Sequence, residues 1–317
     1  MIEVRELTKN YGPYKAIDRL SFSVKKGEVV GFLGPNGAGK TTTMKIITGF
    51  MAPSEGSVQV AGFDVFENPI EVKKRIGYLP ETPPVYGEMS VEDYLRFVAN
   101  LKGVEKSRIT SLVERALEKT DLGNVRKRMI QNLSKGYRQR VGISQALVSD
   151  PEVLVLDEPT VGLDPRQVHE VRMLIKELAG QHTIILSTHI LPEVQASCER
   201  IIIVNKGKIV AQDTIASLSK RREGSSRVHV RVGQASASLL QQLTQQMKSV
   251  TGVRTVESSQ PGLFEVETDG SQEVTPHLAA KIIGGGGSLY ELREEKLNLE
   301  DVFLKLTTSE ANQGVES

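Results

Sequence analysis

The sequence has one cysteine, no excess charge of either sign and no long apolar run, and each shortage removes a class of protein. Cys198 alone can form neither an internal disulfide nor a multi-cysteine metal cage, and a lone thiol suits a reducing cytoplasm. It reads as a small core filler rather than a nucleophile. Forty basic against thirty-nine acidic side chains leave a formal charge of +1, with no long-range field to gather nucleic acid or anionic lipid. Any anion site must be local. The longest apolar stretches, such as 201–204, are strand-sized and far below the ~20 residues of a membrane-spanning helix. Residues 1–9 alternate apolar and charged side chains and lack the apolar run of a signal peptide. Work at a membrane would need a partner that spans it.

What is present is enough for two cores. A chain of 317 residues fits one domain of about 200 residues and one of about 100. Apolar residues at 39% and charged residues at 25% match an ordinary folded protein. Residues 1–218 mix short β-branched runs with helical segments, an α/β pattern. The runs 29–33, 153–156, 183–187 and 201–204 are apolar at nearly every position and predict a mainly parallel sheet buried on both faces. Residues 1–7 and 58–61 are one-sided and predict an antiparallel β flank. Between them, 90–102, 108–119 and 134–148 predict a helical subdomain, with Ser90 and Asp93 forming a cap at the first.

The polar, charged stretch 219–226 reads as a linker. Residues 227–317 then predict a small α+β accessory domain. Strands near 227–232, 253, 263 and 288–292, and helices at 238–250 and 272–283, give the order βαββαβ of a ferredoxin-like sandwich, followed by a last helix from Leu299. No spacing in it suggests catalysis, so it reads as regulatory or partner-contacting.

The strongest chemical signal follows the run 29–33. Gly34, Pro35, Asn36, Gly37, Ala38, Gly39, Lys40, Thr41 and Thr42 fit the phosphate-binding pattern G-x-x-x-x-G-K-[ST]. Glycines let the backbone turn tightly and offer bare N–H groups to phosphate oxygens, and the following helix points its positive end at the same anion. Lys40 is placed to reach the β and γ phosphates of ATP, and the Thr41 hydroxyl to bind Mg²⁺.

A second signal closes the run 153–156. Asp157 and Glu158 are adjacent carboxylates that a doubly buried strand carries cheaply only at its C-terminal end, where α/β sheets hold ligands. Asp157 is the expected Mg²⁺ partner, directly or through water. Glu158 is the expected polariser of the water that attacks the γ-phosphate.

With these motifs in place, residues 1–218 resemble the ABC ATPase family. Leu133, Ser134, Lys135, Gly136 and Tyr137 stand where that family has its signature L-S-G-G-Q, and a helix N-terminus bearing Ser134 and a small Gly136 is a second anion site. The resemblance implies that it meets the γ-phosphate held by the opposite subunit of a dimer, formed with a second copy or a closely related chain. It also implies that Asp164, in Gly162-Leu163-Asp164-Pro165, belongs to the loop lying across that interface, and that His189 is the switch histidine at the γ-phosphate. Tyr11 matches the aromatic that stacks on adenine, with Tyr14 as the alternative.

Three positions in two motifs depart from the family pattern. Glu81 replaces the usual glutamine that touches Mg²⁺ and the attacking water, adding negative charge beside the phosphates. Lys135 and Tyr137 replace glycine and glutamine, and Lys135 is either an added cation for the trans phosphate or a solvated side chain. The run from Lys135 to Arg140 is similar to the gliding-motility type, within the exporter branch whose ATPase and permease are separate chains. The resemblance thus implies an ATPase beneath a separate transmembrane permease, peripheral on the inner face of the membrane, with no nucleic acid. The alternative is a soluble ATPase of the same fold acting on nucleic acid or the ribosome. Chromosome-type members need a long coiled coil before Ser134, and no heptad repeat is present; translation factors carry two cassettes and a basic balance.

Overall fold

The computed structural model describes residues 1–220, 226–233, 235–269 and 274–296. The chain divides into two compact units, Met1–Ile215 and a second from Ala216 onward.

The first unit opens with two strands that each turn most of their apolar side chains to one core. β1 (Ile2–Tyr11) and β2 (Tyr14–Val24) form a hairpin; β3 (Val29–Leu33) leaves for a second sheet. After helix α1 (Lys40–Ile47), β4 (Glu55–Val60) and β5 (Phe63–Asp64) return to the hairpin. The resulting antiparallel sheet has the order β2-β1-β4-β5. Ile2, Val4, Phe22 and Val58 point inward and share one core with Phe32 of β3 and Met44 of α1. Full burial of such a side chain is worth about 1.5–3 kcal/mol, so this one-sided pattern fixes which face turns in. The one-sided runs at 1–7 and 58–61 lie in β1 and β4, while β2 adds a strand that the sequence reading had not anticipated.

Helix α2 (Pro69–Arg75) leads to β6 (Ile76–Leu79). Then come α3 (Val91–Leu101), α4 (Lys106–Lys119) and α5 (Lys135–Leu147). These three helices enclose a second core around Leu95, Val113, Leu117 and Val141. Ser90 and Ser134 cap α3 and α5, accepting from the N–H groups of Asp93 at 3.2 Å and Tyr137 at 3.4 Å.

The rest of the unit alternates strand and helix: β7 (Val153–Asp157), α6 (Pro165–Leu178), β8 (Thr183–Thr188), α7 (Leu191–Ser197), β9 (Arg200–Asn205) and β10 (Lys208–Thr214). The six-stranded sheet has the order β10-β9-β3-β8-β7-β6. Pairing is parallel from β9 through to β6, and only β10 runs antiparallel. The four expected inner strands occupy its middle. The two edge strands escaped the sequence reading for different reasons. β6 is four residues long and contains Gly77, where a side chain would lie 2.0 Å from the Ala146 carbonyl oxygen of α5. β10 lacks a run of buried apolar residues.

Helix α8 (Ile215–Lys220) precedes the second unit's β11 (Ser226–Val232), α9 (Ala237–Lys248), β12 (Val253–Gln260), β13 (Leu263–Thr268), α10 (Val274–Gly284) and β14 (Leu289–Lys296). Its antiparallel sheet runs β12-β13-β11-β14, the strand order of a ferredoxin-like sandwich. Val228, Val230, Phe264 and Val266 pack with Leu243 and Met247 of α9 and Leu278 and Ile282 of α10. Residues 221–225 of the expected linker, the expected helix start at 272–273 and the helix expected from Leu299 lie outside the described residues.

Candidate functional site

Strands β3, β7 and β8 run parallel side by side, so the loops that follow them leave at one edge of the sheet. The loop after β3 holds Gly34 to Gly39 and passes directly into α1, whose first residue is Lys40. Gly39 has φ +102°, and a side chain there would sit 2.7 Å from the carbonyl oxygen of Ala16. Only glycine meets both demands. Lys40 is buried, and its ammonium donates to the carbonyl oxygens of Gly34 at 2.9 Å and Pro35 at 3.3 Å.

This loop forms one wall of a cleft of about 610 Å³. Of the expected site residues, Tyr11, Asn36, Gly37, Gly39, Lys40, Thr41, Thr42, Glu81, Glu158 and His189 line it, joined by Tyr14, Ala16 and Val161. Tyr11 and Tyr14 face each other in register across the β1–β2 hairpin. The Tyr11 hydroxyl donates to Met51 Sδ at 2.9 Å, and the Lys9 ammonium lies 5.5 Å from its ring centre. Both aromatics therefore remain candidates for a stacking platform.

Asp157 ends β7 and is fully buried. Burial pushes its carboxyl above the ordinary carboxylate range; the hydroxyls of Ser187 and Thr41 oppose this, and the charges of Glu158 and Glu81 add to it. Its Oδ1 accepts from the Ser187 hydroxyl, whereas its Oδ2 is buried without a hydrogen bond. An orphaned carboxylate oxygen beside a threonine hydroxyl is a set of hard oxygen donors that fits Mg²⁺. Among the described residues no three His, Cys, Asp or Glu side chains gather as a metal site.

Glu158 adopts φ +49°, an uncommon conformation for a residue with a side chain, held by its N–H donating to the Ser187 carbonyl oxygen at 3.0 Å. That turn sends its carboxylate away from Asp157. Glu158 Oε1 lies 3.3 Å from the Lys40 ammonium, and Oε2 lies 2.9 Å from Nδ1 of His189, which follows β8. The carboxylate thus stands between a cation and an imidazole at the cleft wall, an arrangement suited to taking a proton from water.

Eight expected residues are absent from the cleft wall: the buried Asp157, then Ser134, Lys135, Gly136 and Asp164, and three members of the phosphate loop, Gly34, Pro35 and Ala38. Ser134, Lys135 and Gly136 open α5 and lie beside the start of α6 in the same chain. A side chain at Gly136 would be 2.5 Å from the Gln167 amide, and one at Gly162 would be 1.8 Å from the Lys135 ammonium. Lys135 therefore lies over the Gly162 turn. Asp164 caps α6, its Oδ1 accepting from the Gln167 N–H at 2.9 Å. Within the phosphate loop, the Gly34 and Pro35 carbonyls hold Lys40 and the Ala38 carbonyl accepts from the Gly207 N–H at 3.0 Å.

Two buried residues that the sequence reading left out support the site. Gln139 of α5 donates to the Pro159 carbonyl oxygen at 2.8 Å, next to Glu158. Glu193 of α7 accepts from Thr160 and Thr188 at 2.5 and 2.8 Å. Glu193 stands between Pro192 and Val194, an acid among apolar neighbours that the sequence could have marked, whereas Gln139 lies between Arg138 and Arg140 and carries no such signal. Cys198 packs against the apolar cluster beneath β3, as a core filler.

The family described as "ABC transporter" matches residues 17–161. The chain is 33% identical to the bacitracin transport ATP-binding protein BcrA of Bacillus licheniformis, covering 96% of this chain and 97% of that protein. It is likewise 33% identical to the Nod factor export ATP-binding protein I of Cupriavidus metallidurans, covering 98% of each. A solved "ATP binding subunit of ABC transporter" is 31% identical, with a TM-score of 0.64 over 70% of this chain and 92% of that one.

Proposed function

The chain belongs to the ABC transporter family, as an ATP-binding and ATP-hydrolysing subunit, and from that premise we propose that two copies close around two Mg·ATP to drive a separate membrane permease. The observation that carries this reading is the separation of two anion sites within one chain. Lys40, Thr41, Glu158 and His189 line the cleft, with Asp157 buried beside the Thr41 hydroxyl, while the Ser134 end of α5 lies outside it. A two-fold pair of chains brings each Ser134 end to the other chain's cleft.

In this arrangement Lys40 and the N–H groups of residues 36–41 hold the phosphates, and Thr41 with Asp157 holds Mg²⁺. Mg²⁺, when bound, neutralises phosphate charge during transfer. Glu158 takes the proton of the attacking water, and His189 orients Glu158 and the γ-phosphate. The Ser134 hydroxyl and the first N–H groups of α5 hold the γ-phosphate from the opposite chain. Lys135 adds a cation there, Asp164 lies across the interface, and Tyr11 stacks on adenine. Glu81 accepts from water beside the metal. Loss of the γ-phosphate removes the charge that joins the two chains, and the pair opens.

No helix among the described residues is long and apolar enough to cross a membrane. Beside the Glu81 loop a groove of about 440 Å³ is lined by Phe50, Tyr78, Pro80, Pro84 and Lys102. Nearby, Tyr86, Phe97 and Leu101 are exposed, with the two rings 5.6 Å apart. Exposed apolar surface of this kind supports docking of a permease's cytoplasmic helix, with the chain on the inner face of the membrane. The relative named for Nod factor export supports export as the direction. The gliding-motility likeness has no counterpart among the relatives named here. Residues 1–218 serve as the cassette, and 227–317 as an accessory domain that contacts a partner.

A crosslink between chains tests the dimer. In a Cys198→Ala, Glu158→Gln background, a Gly37→Cys chain is mixed with a Ser134→Cys chain. Mg·ATP is expected to yield a disulfide-linked pair, and ADP to yield none. Equal crosslinking with and without nucleotide, or none at all, counts against the sandwich.

A further inference from the structure

We propose that Glu193 is a positioning residue that sets the geometry between Glu158 and His189. Glu193 lies in the first turn of α7 and is 2% exposed. Its two carboxylate oxygens reach two different loops. Oε1 accepts from Thr160 Oγ1 at 2.5 Å, two residues past Glu158. Oε2 accepts from Thr188 Oγ1 at 2.8 Å, immediately before His189. The Thr188 oxygen also accepts from the Ile190 N–H at 3.1 Å, which leaves its own proton directed at Glu193.

Both hydroxyls are buried with it. Among the described residues no cation pairs with Glu193, and a buried carboxylate without a cation is costly unless strongly hydrogen-bonded. An apolar side chain would fill the same space at lower cost. What the carboxylate adds is direction, because two charge-assisted hydrogen bonds fix two loops against each other. Those loops carry the two partners that meet at 2.9 Å, Glu158 Oε2 and His189 Nδ1. Glu193 touches neither of them nor the cleft, and acts only through Thr160 and Thr188.

The proposal rests on the assignment of Glu158 and His189 to the hydrolytic step. The test measures kcat, KM and nucleotide affinity of the full-length chain with Mg·ATP. Glu193→Ala is expected to lower kcat by about 100-fold, the loss typical of a displacement near 1 Å, with KM and affinity unchanged within about twofold. Glu193→Gln keeps one acceptor oxygen and gives a donor that a threonine hydroxyl can turn to accept, so kcat is expected within about fivefold of the unsubstituted chain. Thr160→Val is expected to lower kcat by about 10-fold, and to add nothing further to Glu193→Ala. Should Glu193→Ala not fold, Thr160→Val and Glu193→Gln decide the matter.

A kcat for Glu193→Ala within twofold of the unsubstituted value overturns the proposal. So does a parallel loss of nucleotide affinity that Gln does not restore, and so does an unchanged kcat in Thr160→Val. Glu158→Gln, run alongside, separates the two layers: if it retains turnover, the hydrolytic assignment itself fails. If it abolishes turnover while Glu193→Ala does not slow it, the positioning role alone fails.

Discussion

The Lys40 ammonium and the Glu158 carboxylate form a buried ion pair at 3.3 Å. In the proposed cycle, binding of a nucleotide competes with that contact: phosphate would take Lys40 and leave Glu158 with His189 and water.

Glu158→Gln removes both the competing charge and the base. Turnover is expected to fall by at least about 100-fold, the lower range for loss of a general base. Affinity for ATP is expected to hold or rise, since Lys40 loses its anionic partner. Steady-state phosphate release and equilibrium nucleotide binding check the two points, and sedimentation with Mg·ATP follows pairing; a variant with undiminished turnover that stays monomeric contradicts the assignment.

Gln139 is 4% exposed and donates to the Pro159 carbonyl oxygen at 2.8 Å. Replacing it by leucine leaves that oxygen without a donor and is expected to cost about 1–3 kcal/mol. Gln139→Glu fits the same space but sets an anionic oxygen against the carbonyl, so its cost is expected to exceed that of leucine. Urea unfolding gives the order, and a glutamate variant as stable as the original refutes the bond.

Lys102 donates from its ammonium to the carbonyl oxygens of Lys73 and Ile76, both at 2.8 Å. Burial first, and the nearby Lys73 charge second, bring its pKa down from 10.5 to about 8. With a folded-state pKa below the unfolded one, this group's contribution is present above the unfolded value and is lost as pH falls through the folded value. The original chain is therefore expected to gain on Lys102→Met between about pH 8 and pH 10.5, by up to about 3 kcal/mol. Melting of both proteins across that window measures it; a constant difference means that Lys102 does not titrate there.

Burial, with smaller contributions from Glu193 and Glu199, raises the Cys198 thiol to about 12. At pH 8 only about one molecule in ten thousand then carries the reactive thiolate. N-ethylmaleimide is expected to leave the native chain unmodified for hours and to label it fully in urea, as read by intact mass. Rapid native labelling contradicts the packing beneath β3.

What the sequence by itself determined is local. Glycines at fixed offsets before Lys40 and Thr41 dictate a turn that suits phosphate, because only a bare backbone can bend and expose its N–H groups there. Doubly apolar runs dictate buried parallel strands, and serines before apolar helical periods dictate the caps at Ser90 and Ser134. Strand β6 stayed illegible because four residues with a glycine hold no readable period, and β10 because a half-exposed strand carries a weak apolar signal, whereas the alternation of Leu20, Phe22 and Val24 in β2 was legible. The tertiary structure alone decided distances between segments far apart in the chain. It places Glu158 between Lys40 and His189, leaves Asp157 Oδ2 without a hydrogen bond, puts Lys135 over Gly162, and ties Gln139 and Glu193 to the turn beside Glu158. The physical reason is that hydrogen bonds and ion pairs act over about 3–4 Å. Residue order fixes which groups exist, but only the packed sheet and helices bring distant groups, as far apart in the chain as Lys40 and Glu158, within that reach.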